Sequence, residues 1–304
     1  MSQIIDTLAD LADVGKTFVE LARTKKIDQH SQLTGTVIKT RRDFEEFRAI
    51  IDFPYAQIVE EDGTVTYSNI TSPYSLDISP DMRMLAFKCS KQMNYTDLYN
   101  KLKNPASRMG LSLAETRNRA FARAIELGFT APSSGGTKTL DAIALFSASH
   151  LIEGGATNPS RPSADLALTV PNVKTGLTQL RTQKSHRGKP MVNAGENYLW
   201  VAAANDFQAM EIANGANLAH TTDHTVNSLK GRITPVVLDY MTTSGFENAW
   251  GFINKENNPL AVIERIPMFF ETKYEPEQQR YHFYTGEEYV YFSRDSRGVW
   301  GTDL

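Results

Sequence analysis

Between Asn94 and Thr130 the apolar residues Leu113, Ala120, Phe121, Ala124 and Leu127 return at helical spacing. Arg119, Arg123 and Glu126 fall on the opposite side. The pattern predicts a helical region over 94–130, and the rest of the chain is expected to be organised around it. Pro105 has no backbone donor and disfavours helix in the residue before it, so a break is expected at Lys103-Asn104. Ser112 stands three residues before Glu115, a capping-box spacing that predicts a restart there. Gly128 is placed as a left-handed stop. Upstream, Ile4, Leu8, Leu11, Phe18 and Leu21 mark an apolar stripe, predicting an amphipathic helix over 2–26. Residues 28–50 are polar, with a short helix expected at 44–51.

The period changes at Tyr55. Tyr55 to Val59 and Thr64 to Tyr67 flank Glu60-Glu61-Asp62-Gly63, and an Asp-Gly pair between such runs predicts a hairpin, because the turn needs positive φ. A second extended run carries Met82, Met84, Ala86 and Lys88 after Pro80. A long, thin β excursion with little core of its own is expected. Past the central helix, 131–139 reads as a flexible joint and 139–150 as an apolar strand or short helix. A helix is predicted over 170–183, with Asn172 as N-cap and Val173, Leu177 and Leu180 buried. A buried strand at 196–204, a helix from Asn205 or Asp206 to Gly215, and a strand at 231–241 follow. This order suggests an α/β or α+β domain across 133–245. From Ala249 onward five short aromatic and β-branched runs predict strands, and the central helix has the apolar face to cover them.

Composition narrows the partners. A chain of 304 residues corresponds to about two domains. Its net charge of −3 leaves no basic footprint for tight nucleic-acid or anionic-membrane binding. No stretch approaches the ~18 consecutive apolar residues of a membrane helix. The single cysteine, Cys89, rules out an intrachain disulfide and fits a reducing compartment. It lies in an alternating apolar run, so a packed thiol is expected and not a nucleophile. Asp6, Asp10 and Asp13 argue against a signal peptide, so a soluble, intracellularly made protein is the expectation.

Four constellations are candidates for chemistry. Ser134-Gly-Gly-Thr-Lys-Thr139 resembles a phosphate loop, but Thr137 breaks the Gly-Lys-Thr order and no buried strand leads in. His220 and His224 have the spacing of a helical zinc pair without a following Glu or a third ligand. Ser147 and Ser149 sit beside His150 without a nucleophile elbow. Tyr, Phe and Arg interleave over 280–297, but Glu275, Glu277, Glu287, Glu288 and Asp295 are mixed in, so the pattern reads as strands with solvated turns and not as a basic single-strand-binding groove. No catalytic set is supported, so a structural or binding role is expected, with no enzyme activity, cofactor or metal.

Several stretches in order carry a resemblance. They are MRMLAFKCSKQMNYTDLYNKL (82–102), RMGLSLAETRNRAFARAIELGF (108–129), LFSASH (145–150), GKPMVNAGENYLWVAAANDFQAMEIANG (188–215), NSLKGRITPVVLDYM (227–241), AWGFI (249–253) and SRDSRGVWG (293–301). Together they resemble a tailed-phage major capsid protein of Hong Kong 97-type fold, closest to the Mu-like prophage major head subunit group. Residues 80–304 match in register; the first 80 match only in character. The resemblance implies an α+β fold with an N-terminal arm (1–49), an E-loop hairpin (50–88), a P-domain with a long spine helix (89–132) and C-terminal strands (246–304), and an A-domain (133–245). It implies hexamers and pentamers closing into an icosahedral shell around double-stranded DNA, without sequence-specific binding and without a membrane. Portal and scaffold or decoration proteins are the implied further partners, with assembly in the host bacterial cytoplasm. Glu60, Glu61 and Asp62 at the loop tip, and Arg119 and Arg123 on the spine, are the implied inter-subunit contacts. An encapsulin-like nanocompartment shell, which shares the fold, is the alternative.

Overall fold

The computed structural model describes residues 8–24, 28–48, 51–59, 61, 64–65, 67–68, 74–91, 98–153, 155–193, 195–215 and 226–303. Two four-stranded sheets are joined by one long helix. The first sheet contains β1 (Thr36–Lys39), β4 (Asp81–Ser90), β8 (Leu260–Glu275) and β9 (Arg280–Ser293), in the order β1-β8-β9-β4. The second contains β5 (Asn197–Ala202), β6 (Ile233–Leu238), β7 (Trp250–Asn254) and β10 (Val299–Thr302), in the order β10-β7-β5-β6. β2 (Glu45–Arg48) and β3 (Ser75–Ile78) form a separate antiparallel pair. The α-helices used below are α1 (Leu8–Arg23), α2 (Gln29–Leu33), α3 (Leu98–Leu127), α4 (Val170–Thr182) and α5 (Asp206–Asn214).

The helix α3 is the expected organising element, and it bridges two cores. Ala106, Met109 and Leu113 pack with Val19 of α1 and with Phe270 and Phe283 of the first sheet. About two to three turns on, Phe121 and Ile125 pack with Phe146 and with Trp200, Leu238 and Ile253 of the second sheet. The other face of that sheet holds Leu199 and Val201 against Val173 and Leu180 of α4 and Ile212 of α5. Consecutive residues of β5 thus alternate between two cores, as a pleated strand requires. On the far face of the first sheet, Phe47 and Ile78 of the β2–β3 pair pack with Ile263 and Phe292.

Several local expectations fail for identifiable reasons. No break occurs at Lys103-Asn104: α3 runs unbroken through Pro105. Proline in a helix interior costs ~3 kcal/mol, which the burial of Ala106 and Met109 beside it offsets. Ser112 is no cap, because its carbonyl accepts from Thr116 Oγ1 at 2.7 Å in mid-helix. Gly128 ends α3 without a positive φ. Glycine is needed there for space, since a Cβ would lie 3.0 Å from the Phe146 ring. Glu126 is buried and not on an outer face.

The first helix is rotated from its predicted phase. Leu21 is 55% exposed, while Val19 and Ala22 are buried. Small residues set this contact: a Cβ on Gly110 of α3 would collide with the Val19 carbonyl, and one on Gly15 with the Phe270 ring. Gly110→Leu is therefore expected to push α1 off α3. Limited proteolysis near residue 24 should become faster, while the second sheet stays protected; unchanged cleavage would contradict the close packing.

The 44–51 helix is instead strand β2, paired with β3 and placing the Phe47 ring 4.8 Å from that of Phe292. No strand ladder forms among the described residues of 51–68. Phe53, Tyr55, Ile58 and Tyr67 are exposed there, and a hairpin with no face to pack on is marginal in water. The joint at 131–139 is tied down: Thr137 N donates to Leu127 O at 3.0 Å, and Thr137 and Thr139 are buried. Residues 139–150 form a pinned loop, neither strand nor helix, with Phe146 N donating to Gly128 O at 2.9 Å. The N-cap of α4 is Thr169, whose side chain accepts from Asn172 N. Of the five C-terminal runs, the last four merge into the two long strands β8 and β9, while the first, AWGFI, forms β7 of the second sheet. Register shifts between Glu264 and Phe269 absorb Pro267, which reads in sequence as a boundary.

Candidate assembly surfaces and the buried charge network

Where α1, α3 and the first sheet meet, the core is ionic. Arg117 lies one helical turn after Leu113 and one before Phe121, on the buried face. It donates through Nη2 to Glu264 Oε1 and through Nη1 to Glu287 Oε2, the latter at 3.3 Å. Arg23, the last residue of α1, donates to the same Glu287 oxygen at 2.9 Å. The Tyr289 ring lies beneath two guanidinium groups, Arg83 at 4.3 Å and Arg117 at 5.0 Å. Burial pushes the Tyr289 hydroxyl up to about 12 and raises Tyr291 as well.

Glu287 and Glu288 are thus not solvated turn residues: they are 3% and 5% exposed. They point to opposite faces of β9, and each meets arginine. Glu288 accepts from Arg265 at 3.0 Å, and Arg265 in turn reaches Asp43 at 2.6 Å. A strand pattern of charges looks solvent-facing until the cations packed against it are known. The available signal was Arg117 inside an apolar helical stripe.

Two of the other constellations are accounted for by contacts within the chain. The Ser134–Thr139 loop spends its amides internally, with Gly135 N on Pro132 O and Gly136 N on Ala131 O, so no cradle of free N–H groups faces a phosphate. His150 is buried, with Nδ1 2.6 Å from Asp141 Oδ2 and Nε2 3.2 Å from Leu145 O, so it activates no serine. Its tie to His150 holds the Asp141 carboxyl below its ordinary range, against the opposing effect of burial. His220 and His224 lie outside the described residues. No group of three metal-ligating side chains occurs among the described residues. Cys89 is half-buried among Phe87, Phe283 and neighbours, and burial pushes its thiol up, as suits a packed group. A cleft of about 570 Å³ is lined by Phe47, Ile51, Tyr74, His186, Asn257 and Arg297 among others. Its arginines are already engaged: Arg48 with Glu46, Arg294 with Thr36 and Arg297 with Asp295.

Exposed apolar side chains concentrate on 53–67, where Ile58 and Tyr67 are almost wholly exposed. The root of this segment is fastened by Ser185 Oγ donating to Asp52 at 2.9 Å and by Lys189 Nζ lying 4.5 Å from the centre of the Tyr55 ring. Glu61 is exposed at its tip; Glu60 and Asp62 lie outside the described residues. Arg119 is exposed on α3. Arg123 is also exposed but already bonds Glu126 and Thr243, both at 3.0 Å. Among the described residues, no bond joins Glu61 to either arginine.

Comparison with known proteins places this architecture. The model of a family described as phage capsid protein matches residues 85–300. No curated protein matches the chain in sequence. The virus-like particle from Pyrococcus furiosus is similar in structure, with a TM-score of 0.57 at 11% identity, covering 95% of this chain and 98% of that one. The capsid of Ralstonia phage GP4 gives a TM-score of 0.58 at 11% identity, over 88% of this chain and 84% of that one. The capsid of cyanophage P-SCSP1u gives 0.56 at 12%, over 88% and 85%. At such identities the likeness establishes the fold.

Proposed function

The chain belongs to the phage capsid protein family, and from that premise we propose that copies of it close, as hexamers and pentamers, into an icosahedral shell around double-stranded DNA. The fold is α+β, of Hong Kong 97 type. The observation that carries the reading is the family match itself, which spans α3 and most of both four-stranded sheets. The chain acts as a structural subunit and not as an enzyme. Its net charge of −3 supports a container role, because a basic wall would hold DNA through salt-dependent phosphate contacts and hinder its movement. The ordered stretches over 82–301 support membership of the Mu-like head subunit group. Portal and scaffold or decoration proteins, and assembly in a bacterial cytoplasm, follow from the same reading.

We assign 1–49 to the arm, 50–88 to the E-loop, 89–132 and 246–304 to the P-domain and 133–245 to the A-domain, except that β7 and β10, from the C-terminal part, complete the A-domain sheet beside β5 and β6. The free part of the loop is shorter than its assigned range, since β3 and β4 pair within the chain. Exposed Phe53, Tyr55, Ile58 and Tyr67 support its lying on a neighbouring subunit. We assign its acidic tip, Glu60, Glu61 and Asp62, to contact spine arginines there. Arg119 is the stronger receiver, because Arg123 already serves Glu126. Deleting Glu60 to Thr64 is expected to leave a folded monomer that no longer assembles. Sedimentation separates the outcomes, and normal particles would refute the loop's role.

A second reading is a nanocompartment shell of the same fold, since a particle described as virus-like, and not as a phage capsid, is among the similar structures. Nucleic-acid content of particles from the native source decides between them. Nuclease-protected double-stranded DNA supports the phage shell; particles filled with protein support the compartment.

A further inference from the structure

The turn between Lys184 and Pro190 is bolted to the loop at 150–158, and it grips both legs of the exposed segment that runs from β2 to β3. Its own frame is rigid. Ser185 N donates to Lys189 O at 2.7 Å and Gly188 N to Ser185 O at 2.9 Å, with Gly188 supplying the positive φ of the turn. Buried Asn158 bonds both the N–H and the carbonyl of Lys184, and Glu153 N donates to His186 O at 2.7 Å. From this frame Ser185 Oγ accepts from Lys189 N and donates to Asp52 Oδ2 at 2.9 Å. Lys189 Nζ donates to the Phe53 carbonyl and lies 3.9 Å from Asp52 Oδ2 and 4.5 Å from the centre of the Tyr55 ring. Those contacts hold the outgoing leg. On the returning leg the Tyr74 ring meets His186 edge-on, with centroids 6.1 Å apart.

We propose that this turn aims the exposed segment, with Ser185 and Lys189 as its positioning residues. The segment does not aim itself, because no strand ladder forms among the described residues of 51–68 and Phe53, Tyr55 and Ile58 are exposed. The β2–β3 pair supplies one fixed point and no more. Its last paired residue on the outgoing side is Arg48, and the chain from there to Asp52 is a tether reaching up to about 14 Å. A chain pinned at one point swivels; pinned again at Asp52 to Tyr55, it takes a line. Lys189 suits this task, since an ammonium on a long stem has three donors and serves a carbonyl and a carboxylate together. The use of the grip rests on the shell reading: a loop that lands on a neighbouring subunit binds better when its direction is set beforehand, because less ordering is left to contact.

Spin-label distances in the unassembled full-length chain test the grip, so failure of the shell reading leaves this measurement intact. Labels at Ala56→Cys, beside the gripped leg, and at Lys174→Cys on α4 occupy exposed positions, with Cys89→Ser as background. This parent chain is expected to give one main distance. Ser185→Ala with Lys189→Met should enlarge the population at other distances roughly fivefold to thirtyfold, the effect of losing a few partly exposed polar contacts. Lys189→Arg alone keeps the charge and should keep the main distance. Sedimentation then reads the use: shell yield should fall with the double substitution and hold with Lys189→Arg. The proposal is overturned if the parent already shows many distances, if the double substitution leaves the main distance unchanged, or if it scatters the distances without lowering shell yield. A parent with one distance and no shells would overturn the shell reading while the grip stands.

Discussion

Phe121→Asp is expected to abolish soluble protein. Phe121 is 1% exposed and lies where α3 meets both sheets, its ring 5.3 Å from that of Tyr291 and packed in the cluster that includes Ile125, Phe146 and Trp200. Losing a buried phenylalanine side chain costs about 3–5 kcal/mol. Placing a carboxylate in the vacated space adds several kcal/mol more, since Arg117 one turn before is already held by Glu264 and Glu287. The sum reaches the roughly 5–15 kcal/mol by which a folded protein is stable. Phe121→Leu keeps most of the apolar volume and should remain soluble. The soluble fraction after expression is the readout; a wild-type-like yield of the Asp variant would put Phe121 outside the core.

Arg117→Ala is the second large effect. Glu264 and Glu287 both lose a cation in a largely buried setting, and removing one member of such a network costs about 3–5 kcal/mol. Arg117→Met combined with Glu287→Leu should recover much of that loss, because an apolar pair of similar volume replaces the charges and the partners left behind, Arg23 and Glu264, reach solvent. Urea unfolding of the unassembled chain measures both. A loss under 1 kcal/mol for Arg117→Ala would mean that water substitutes fully for the arginine.

The parts of the fold legible in the sequence are those whose signal is local. The strands β5 and β6 and the helices α4 and α5 have short, strongly periodic patterns bounded by glycine, proline or capping residues, and they form where expected. Misreadings arose where tertiary contact overrides a local rule. Pro105 and Pro267 punctuate the sequence but not the structure, because packing holds α3 through the first and bulges carry β8 past the second. The phase of α1 follows glycines and backbone approach, which a count of large apolar residues does not see. Glu287 was misread for the same reason: its cations come from residues 23 and 117, more than 150 positions away. The candidate contacts at Glu60 to Asp62, Arg119 and Arg123 involve a second chain; Glu61, Arg119 and Arg123 are exposed, and Glu60 and Asp62 lie outside the described residues.

Electron microscopy of the purified full-length protein tests whether this chain is a shell subunit. Closed shells of uniform size, built from rings of six and five subunits, are the expected result. A protein that stays monomeric across concentration and salt, and that turns over a substrate, would contradict it.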